Sequence, residues 1–319
     1  MKWLFFLLFP YLLWHLLQQW PSHYLQIVTC DVGQGDAILL QFLSLQLLID
    51  TGPNQQVLNC LEENMPMWDK RLEVVILTHF DDDHIGGVES VAKNYQISFV
   101  FLPLSEYKES AVYLEMQTAL LALQSMGTKL KEPFLGQQIV FSEFSLTDQS
   151  KKQLSCVFLT PFQFEGGEYL SLEENALFVY QKTEKKLTRS SWDSLQHKIS
   201  DNNGSIVLFC QFVDLKMLFV GDLESTREQA LYDMSLLTRV DIQKIGHHGS
   251  KSSSSLSFME NLRPETSLIS CGKNNKFNHP HQETLDTLSA LRSRVYRTDL
   301  VGHIKINTDG LKYWLPSVE

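Results

Sequence analysis

No CxxC pair occurs anywhere in the 319 residues, and there are only five cysteines: Cys30, Cys60, Cys156, Cys210 and Cys271. They are scattered and odd in number, and each sits beside apolar neighbours. They read as small core hydrophobes, which excludes a cysteine zinc module and argues against a disulfide framework. Basic charge is also short. There are 27 Lys and Arg against 37 Asp and Glu, a net charge of −10. That excludes a clamp that holds nucleic acid by positive charge alone. The deficit is uneven: from Asp241 to Glu319 there are 10 basic and 8 acidic residues, so the acidity lies upstream. Repeats of solenoid length are absent. What remains, 44% hydrophobic and 11% aromatic, suits one large globular domain or two small ones.

The stretch "MKWLFFLLFPYLLWHLLQQWP" stands apart. Trp3 to Leu17 carry no formal charge, and counted to Trp20 the run is just long enough to cross a bilayer core of roughly 30 Å. Trp14 and Trp20 suit its interfaces. A signal peptide beginning at Lys2 is the competing reading, but the bulky "QQWPSHY" offers no small-residue cleavage site. The expectation is an apolar membrane segment over 1–21 and one folded domain over 22–319. Lys2 biases the bulk of the chain to the extracytoplasmic side.

After Pro21 the pattern turns to strands. "YLQIVTCDV" and "DAILLQF" flank "GQG" as a hairpin, where Gly33 and Gly35 permit a tight turn and Asp36 orders it. "LQLLID" ends at "TGPN", and "LEVVILTH" is an apolar strand of the fully buried kind. Residues 55–70 read as a helix and loop and 106–126 as helical, the latter with Leu114, Ala119, Leu121 and Met126 among its apolar positions. The second half repeats the style. "GSIVLFCQF" and "LKMLFVGD" form a hairpin, and "VDIQKIGHHGS" is a strand then a loop. "EKKLTRSSWDSLQHKISDN" reads as a polar surface insertion. Strand clusters followed by helices, in two comparable halves, predict an α/β fold of two packed sheets with helices outside.

Six of the ten histidines fall in three short motifs: His79 and His84, His247 and His248, His279 and His281. The carboxylates Asp50, Asp81, Asp83 and Asp222 also lie at predicted strand ends. In "THFDDDHIGG", a loop leaving a buried strand can point alternate residues at one spot. His79 and Asp81 then serve one ion, Asp83 and His84 a second. Two ions about 3.5–4 Å apart activate water and clamp both oxygens of a displacement at phosphorus. A solvated acidic turn has little reason to emerge from "VVIL" and end in "IGG".

The ordered set "DVGQGDAILL", "THFDDDHIGG", "DNNGSIVL", "GDLE", "HHGSKSSSS" and "GKNNKFNHPH" resembles the metallo-β-lactamase-like C-terminal domain of the ComEC/Rec2 family, over roughly residues 24–310. The resemblance implies a four-layer αββα sandwich and a DNA channel of natural competence at the cell membrane, with other competence proteins as partners. The apolar segment then looks like the end of that family's membrane region. For the site it implies metal ligation by His79, Asp81, Asp83, His84, bridging Asp222 and His248. Asp83 and His247 are the catalytic candidates, with His247 touching substrate or donating a proton. Asp50, Asp36, Asn203 and Ser205 support the ligands from behind. Ser250, Lys251, Lys273 and His279 face substrate, and "SKSSSS" either offers backbone N–H groups to phosphate or is a plain loop.

Two departures from the fold's usual pattern matter. Asp81 stands where a histidine is usual, and between Cys156 and Cys210 the only histidine is His197, in the polar insertion. The site is richer in oxygen, which favours two Mn²⁺ or Mg²⁺ ions, with Zn²⁺ as the alternative. Phosphodiester chemistry on DNA then fits better than β-lactam hydrolysis. Two other readings stay open: a free-standing hydrolase of small phosphodiesters or lactones, and a non-catalytic DNA-binding or gating module.

Overall fold

A computed structural model describes residues 23–103, 110–142, 152–160, 168–171, 177–181, 202–233, 237 and 239–315. The apolar segment over 1–21 and the polar insertion through Ser200 lie outside the described residues. Among the described residues no helix is long and apolar enough to cross a membrane.

The first half supplies β1 (Leu25–Thr29), β2 (Ile38–Phe42), β3 (Leu45–Ile49), β4 (Arg71–Ile76), β5 (Gln96–Phe101) and β6 (Lys129–Lys131). The second supplies β7 (Gln138–Ser142), β8 (Gln153–Phe158), β9 (Glu168–Ser171), β10 (Leu177–Gln181), β11 (Leu208–Phe212), β12 (Leu215–Phe219), β13 (Ile242–Lys244), β14 (Thr266–Ile269) and β15 (Arg294–Arg297). Then β16 (Ile304–Thr308) and β17 (Tyr313–Trp314) return to the first sheet, where β16 lies antiparallel to β1. Among the described residues the strand orders are 17-16-1-2-3-4-5-6 and 15-14-13-12-11-8-7-10-9.

Each half begins as antiparallel hairpins and continues as parallel strands. β3 to β6 run parallel in one sheet, and β12 to β15 in the other. The central parallel strands β3, β13 and β14 are buried at every position, including their polar residues Gln46, Gln243, Lys244, Thr266 and Ser267. The antiparallel β8, between β11 and β7, alternates buried residues with exposed or part-exposed ones.

Three apolar clusters fill the spaces between layers. One lies between the sheets and joins Ile27, Leu40 and Phe101 to Phe158, Leu208 and Met217. The second packs the other face of the first sheet against α1 (Gln56–Asn64), the four-residue α2 (Asp82–Ile85), α3 (Val88–Asn94) and α4 (Ala111–Ser125). The third packs the second sheet against α5 (Ser225–Asp233), α6 (Leu256–Leu262) and α7 (Gln282–Ala290). Helices therefore sandwich two sheets.

Two expectations need correction. Cys30 bonds to Cys60, and Cys156 to Cys210. These four are core residues, as their neighbours implied, but the fold makes them pairs. Antiparallel register sets Cys156 directly opposite Cys210, and the end of β1 passes over α1. Only Cys271 is a free thiol, buried and pushed up to about 12 chiefly by burial. In α4 Leu114 faces solvent, 49% exposed, as does Met126 just past its end, 72% exposed, while Ala119 packs inward.

Glu73 is a buried carboxyl on β4 whose Oε2 accepts from the Gln46 amide at 2.8 Å. Burial raises it from 4.5 to about 7 despite that bond. Between those values the folded chain keeps a proton that the unfolded chain has released. Stability from this group is therefore full below about pH 4.5 and lost as pH rises to about 7. Glu73→Gln is expected to abolish a slope worth up to about 3 kcal/mol over that window. Urea midpoints from pH 4.5 to 7.5 for both chains check it; parallel curves would rule it out.

Candidate metal centre

Parallel strands open their carboxyl ends to one rim, where α/β folds collect ligands. In the first sheet, β3 delivers Asp50 and neighbouring β4 delivers Thr78 and His79. Asp50 is held at a left-handed φ of 59°, a strained conformation of the kind that marks functional sites. Its Oδ1 accepts the Thr78 amide at 2.7 Å, and its Oδ2 accepts the Thr78 hydroxyl at 2.7 Å and faces His84 Nδ1 at 2.8 Å. Thr78 has then used its only hydroxyl hydrogen, so at 3.0 Å it accepts from His79 Nδ1. One carboxylate thus orients two imidazoles, each turning its Nε2 away from the scaffold. The β1–β2 loop closes over them. Asp36 donates its amide to Asp83 O at 3.2 Å, and a Cβ on Gly35 would stand 2.2 Å from that same oxygen. Gly87, after α2, has the same role against Thr51 O, also 2.2 Å from a built Cβ.

In the second sheet, β12 leads to Asp222 and β13 to the histidine pair. Ser205 Oγ accepts the Asp222 amide at 3.1 Å, and Thr160 donates to Ser205 O at 2.8 Å. Asn203 ties the same turn through Glu224 at 3.1 Å. His247 and His248 both take left-handed backbone, with φ 46° and 53°. His248 Nδ1 lies 2.9 Å from Ser270 O and 3.3 Å from Asp36 Oδ1. Its Nε2 reaches within 3.3 Å of Asp83 Oδ2 and 3.4 Å of Asp222 Oδ2. His84 Nε2 lies 3.5 Å from that same Asp222 oxygen, and His247 Nε2 3.7 Å.

The Nε2 atoms of His79, His84 and His248 are buried and make no hydrogen bond. Their donors group as His79, His84 and Asp222; as Asp83, His84 and His248; and as Asp36, Asp222 and His248, each set within 4.8 Å. Bare imidazole nitrogens converging on shared carboxylates fit divalent cations. The electrostatics agree. Burial opposes charge on Asp222, yet His248, His84 and Lys244 hold it well below the carboxylate range. Burial likewise opposes protonation of His84 and His248, but Asp222, with Asp50 and Asp36, drives both well upward. Without an ion, protons balance the carboxylates, and an ion must displace them. His79 is pushed down to about 3, mainly by burial and then by the neighbouring His84.

Residues 30–114 match the metallo-β-lactamase superfamily. The chain is 30% identical over 239 residues to ComE operon protein 3 of Bacillus subtilis, covering 74% of this chain and 24% of that protein. It is 25% identical to recombination protein 2 of Haemophilus influenzae over 88% of this chain and 29% of that protein. With competence protein ComA of Neisseria gonorrhoeae the identity is 24%, over 89% and 32%. The chain is a homologue of these three proteins over most of its own length. It spans about a quarter to a third of the length of these relatives. The superfamily fold implies divalent metal binding, and the converging donors above are its candidate ligands.

Within the site, Asp81 approaches His79 Nε2 at 3.8 Å but, with its side chain a third exposed, joins no three-donor group among the described residues. His79 assembles instead with His84 and Asp222. Ser205 holds the Asp222 backbone from behind and Asn203 ties the same turn, whereas Asp36 and Asp50, expected behind the ligands, also fall within donor groups, Asp36 with Asp222 and His248 and both of them with His84. Of the substrate-facing candidates, Lys251 and Lys273 are exposed. Ser250 is buried, and its hydroxyl contacts Ser252 at 3.1 Å. His279 lies at the rim, its ring centre 5.5 Å from that of His247, and burial lowers it to about 4. The serine run is committed internally: the Ser254 and Ser255 amides both donate to the buried Glu228 carboxylate.

Sequence reasoning missed Lys244. Its ammonium is 1% exposed, ion-paired with Asp36, 3.5 Å from Asp222 Oδ1, and donates to Gly221 O at 3.1 Å. Burial disfavours its charge, but Asp36 and Asp222 raise it above the ordinary lysine value. It holds one oxygen of Asp222 while the other faces the imidazoles. The signal was present in "VDIQKIG", a lysine inside a strand with no polar face.

Proposed function

We propose that this chain is a metal-dependent phosphodiesterase acting on DNA, the nuclease domain of a membrane-anchored DNA-uptake protein, and that it degrades the strand that is not imported. The observation that carries this is the convergence of three bare, buried Nε2 atoms with Asp83 and Asp222 at a rim shared by two sheets. The donor set mixes three imidazole nitrogens with two carboxylates, so Zn²⁺ stands beside Mn²⁺ and Mg²⁺ as a candidate ion. When bound, such ions neutralise phosphate charge and activate water for attack at phosphorus.

The chain's own residues do the rest. Asp50 and Thr78 fix the two imidazoles before substrate arrives, and Lys244 keeps Asp222 charged. Asp83, with 30% of its side chain exposed, and His247, with 24%, are the donor carboxylate and the imidazole on the open side. His247 Nε2 there carries a proton to the departing oxygen. The two disulfides support an extracytoplasmic site, since such bonds persist in oxidising compartments. The relatives' competence and recombination names support DNA as substrate and a translocation channel, with other competence proteins, as partners.

The full chain in mild detergent, with Mn²⁺, Mg²⁺ or Zn²⁺, is offered single-stranded DNA, duplex DNA and a small aryl phosphodiester. Metal-dependent DNA cleavage is expected, and Asp83→Ala is expected to reduce it by about 10³-fold or more. Turnover of the small ester alone would identify a small-molecule hydrolase. DNA binding without turnover under every metal would leave a non-catalytic module.

A further inference from the structure

Between β14 and α7 a loop rises beside the metal centre, and Asn275 fixes its shape. The Asn275 amide donates to Gly272 O at 3.0 Å and His279 O at 2.7 Å, and its Oδ1 accepts the amides of Phe277 at 3.2 Å and His279 at 2.9 Å. At the crest stands Phe277, 46% exposed. Among the described residues it is the one phenylalanine with more than a third of its surface in water. Hydrogen bonds from Asn275 brace the loop on both sides of it.

Phe277 connects to the centre through rings. It stacks on His279 with centroids 5.6 Å apart and planes 22° apart. His279 in turn lies 5.5 Å from His247 and 6.2 Å from His248. His279 Nδ1 is buried without a hydrogen bond. Cations flank the crest: Lys276 Nζ is 4.9 Å from the Phe277 ring centre, and Lys273 is exposed four residues before it. Lys251, also exposed, donates its amide to His281 at 3.1 Å.

We propose that Phe277 is a stacking platform for an unpaired nucleobase, seating a single strand whose phosphates meet Lys273, Lys276 and Lys251 while its backbone passes the metal centre. An aromatic face accepts any base, and lysines accept any phosphate, so the platform selects strandedness and not sequence. Duplex bases are already stacked on one another and leave no free face. The proposal rests on the nuclease reading for its substrate class, but it makes a separate demand: the base itself must contribute to binding.

The test compares a labelled twelve-residue oligothymidylate with an abasic deoxyribose-phosphate strand of equal length and charge. Binding is followed by fluorescence anisotropy in an Asp83→Ala background, so neither strand is cut. The thymidylate is expected to bind roughly 5- to 100-fold tighter than the abasic strand. Adding Phe277→Ala should bring the ratio close to one, and Phe277→Trp should restore it. Duplex binding should not change in either. Equal binding of the two strands, or binding of neither, overturns the platform, as does a Phe277→Ala loss shared equally by both. If the unaltered chain cuts no DNA yet prefers thymidylate, the nuclease reading fails and the platform stands. If it cuts DNA without that preference, the platform fails and the nuclease reading stands.

Discussion

Lys244→Met is expected to cost about 3–5 kcal/mol of folding stability, because it strands the buried Asp36 carboxylate and weakens the hold on Asp222. Methionine fills similar volume, so the loss reports charge and not a cavity. Removing the negative partner as well should return part of it: Lys244→Met with Asp36→Asn is expected to be more stable than Lys244→Met alone, since no uncompensated charge then remains between them. Urea denaturation of the three chains in chelator measures this without contribution from bound metal. A single variant within about 1 kcal/mol of the parent would mean the ammonium is no structural part of the rim.

Asp222→Asn is the second large effect. One Asp222 oxygen lies within 3.4–3.7 Å of His248, His84 and His247, and the other faces Lys244. The amide keeps the shape and removes the charge. Loss of several kcal/mol of electrostatic stabilisation corresponds to roughly a 10³-fold fall in metal-dependent turnover. Metal retained after gel filtration should fall with it, read by elemental analysis. Full metal retention with full turnover would remove Asp222 from the centre.

Much of this was legible in the chain. The strand ends could be read because a buried parallel strand leaves an apolar run, and polar residues just beyond it must point at something. That logic marks Asp50, His79, Asp222 and His248. It also explains the misses. Lys244 lies inside the strand and not beyond it, so the rule passed over a cation that balances the carboxylates alongside His84 and His248. The disulfides depend on register and on a helix crossing a strand end, which spacings of 30 and 54 residues do not encode. The outward Leu114 and Met126 show how an apolar residue on a helix says little when several faces are partly apolar. The serine run looked like free amides because Glu228, the residue that occupies two of them, lies 26 residues upstream.

The pairing of β1 with β16 carries a consequence for how the molecule is made. Gln26 and Asn307 are neighbours although 281 positions apart, and β1 otherwise has only β2 beside it. On a ribosome emitting residues in order, the sheet bearing the aspartate-rich loop carries an open flank from the time β1 emerges until β16 follows it. An open flank invites pairing with other strands. Chaperone capture, or early covalent closure between Cys30 and Cys60, would guard the nascent half until its distant neighbour emerges.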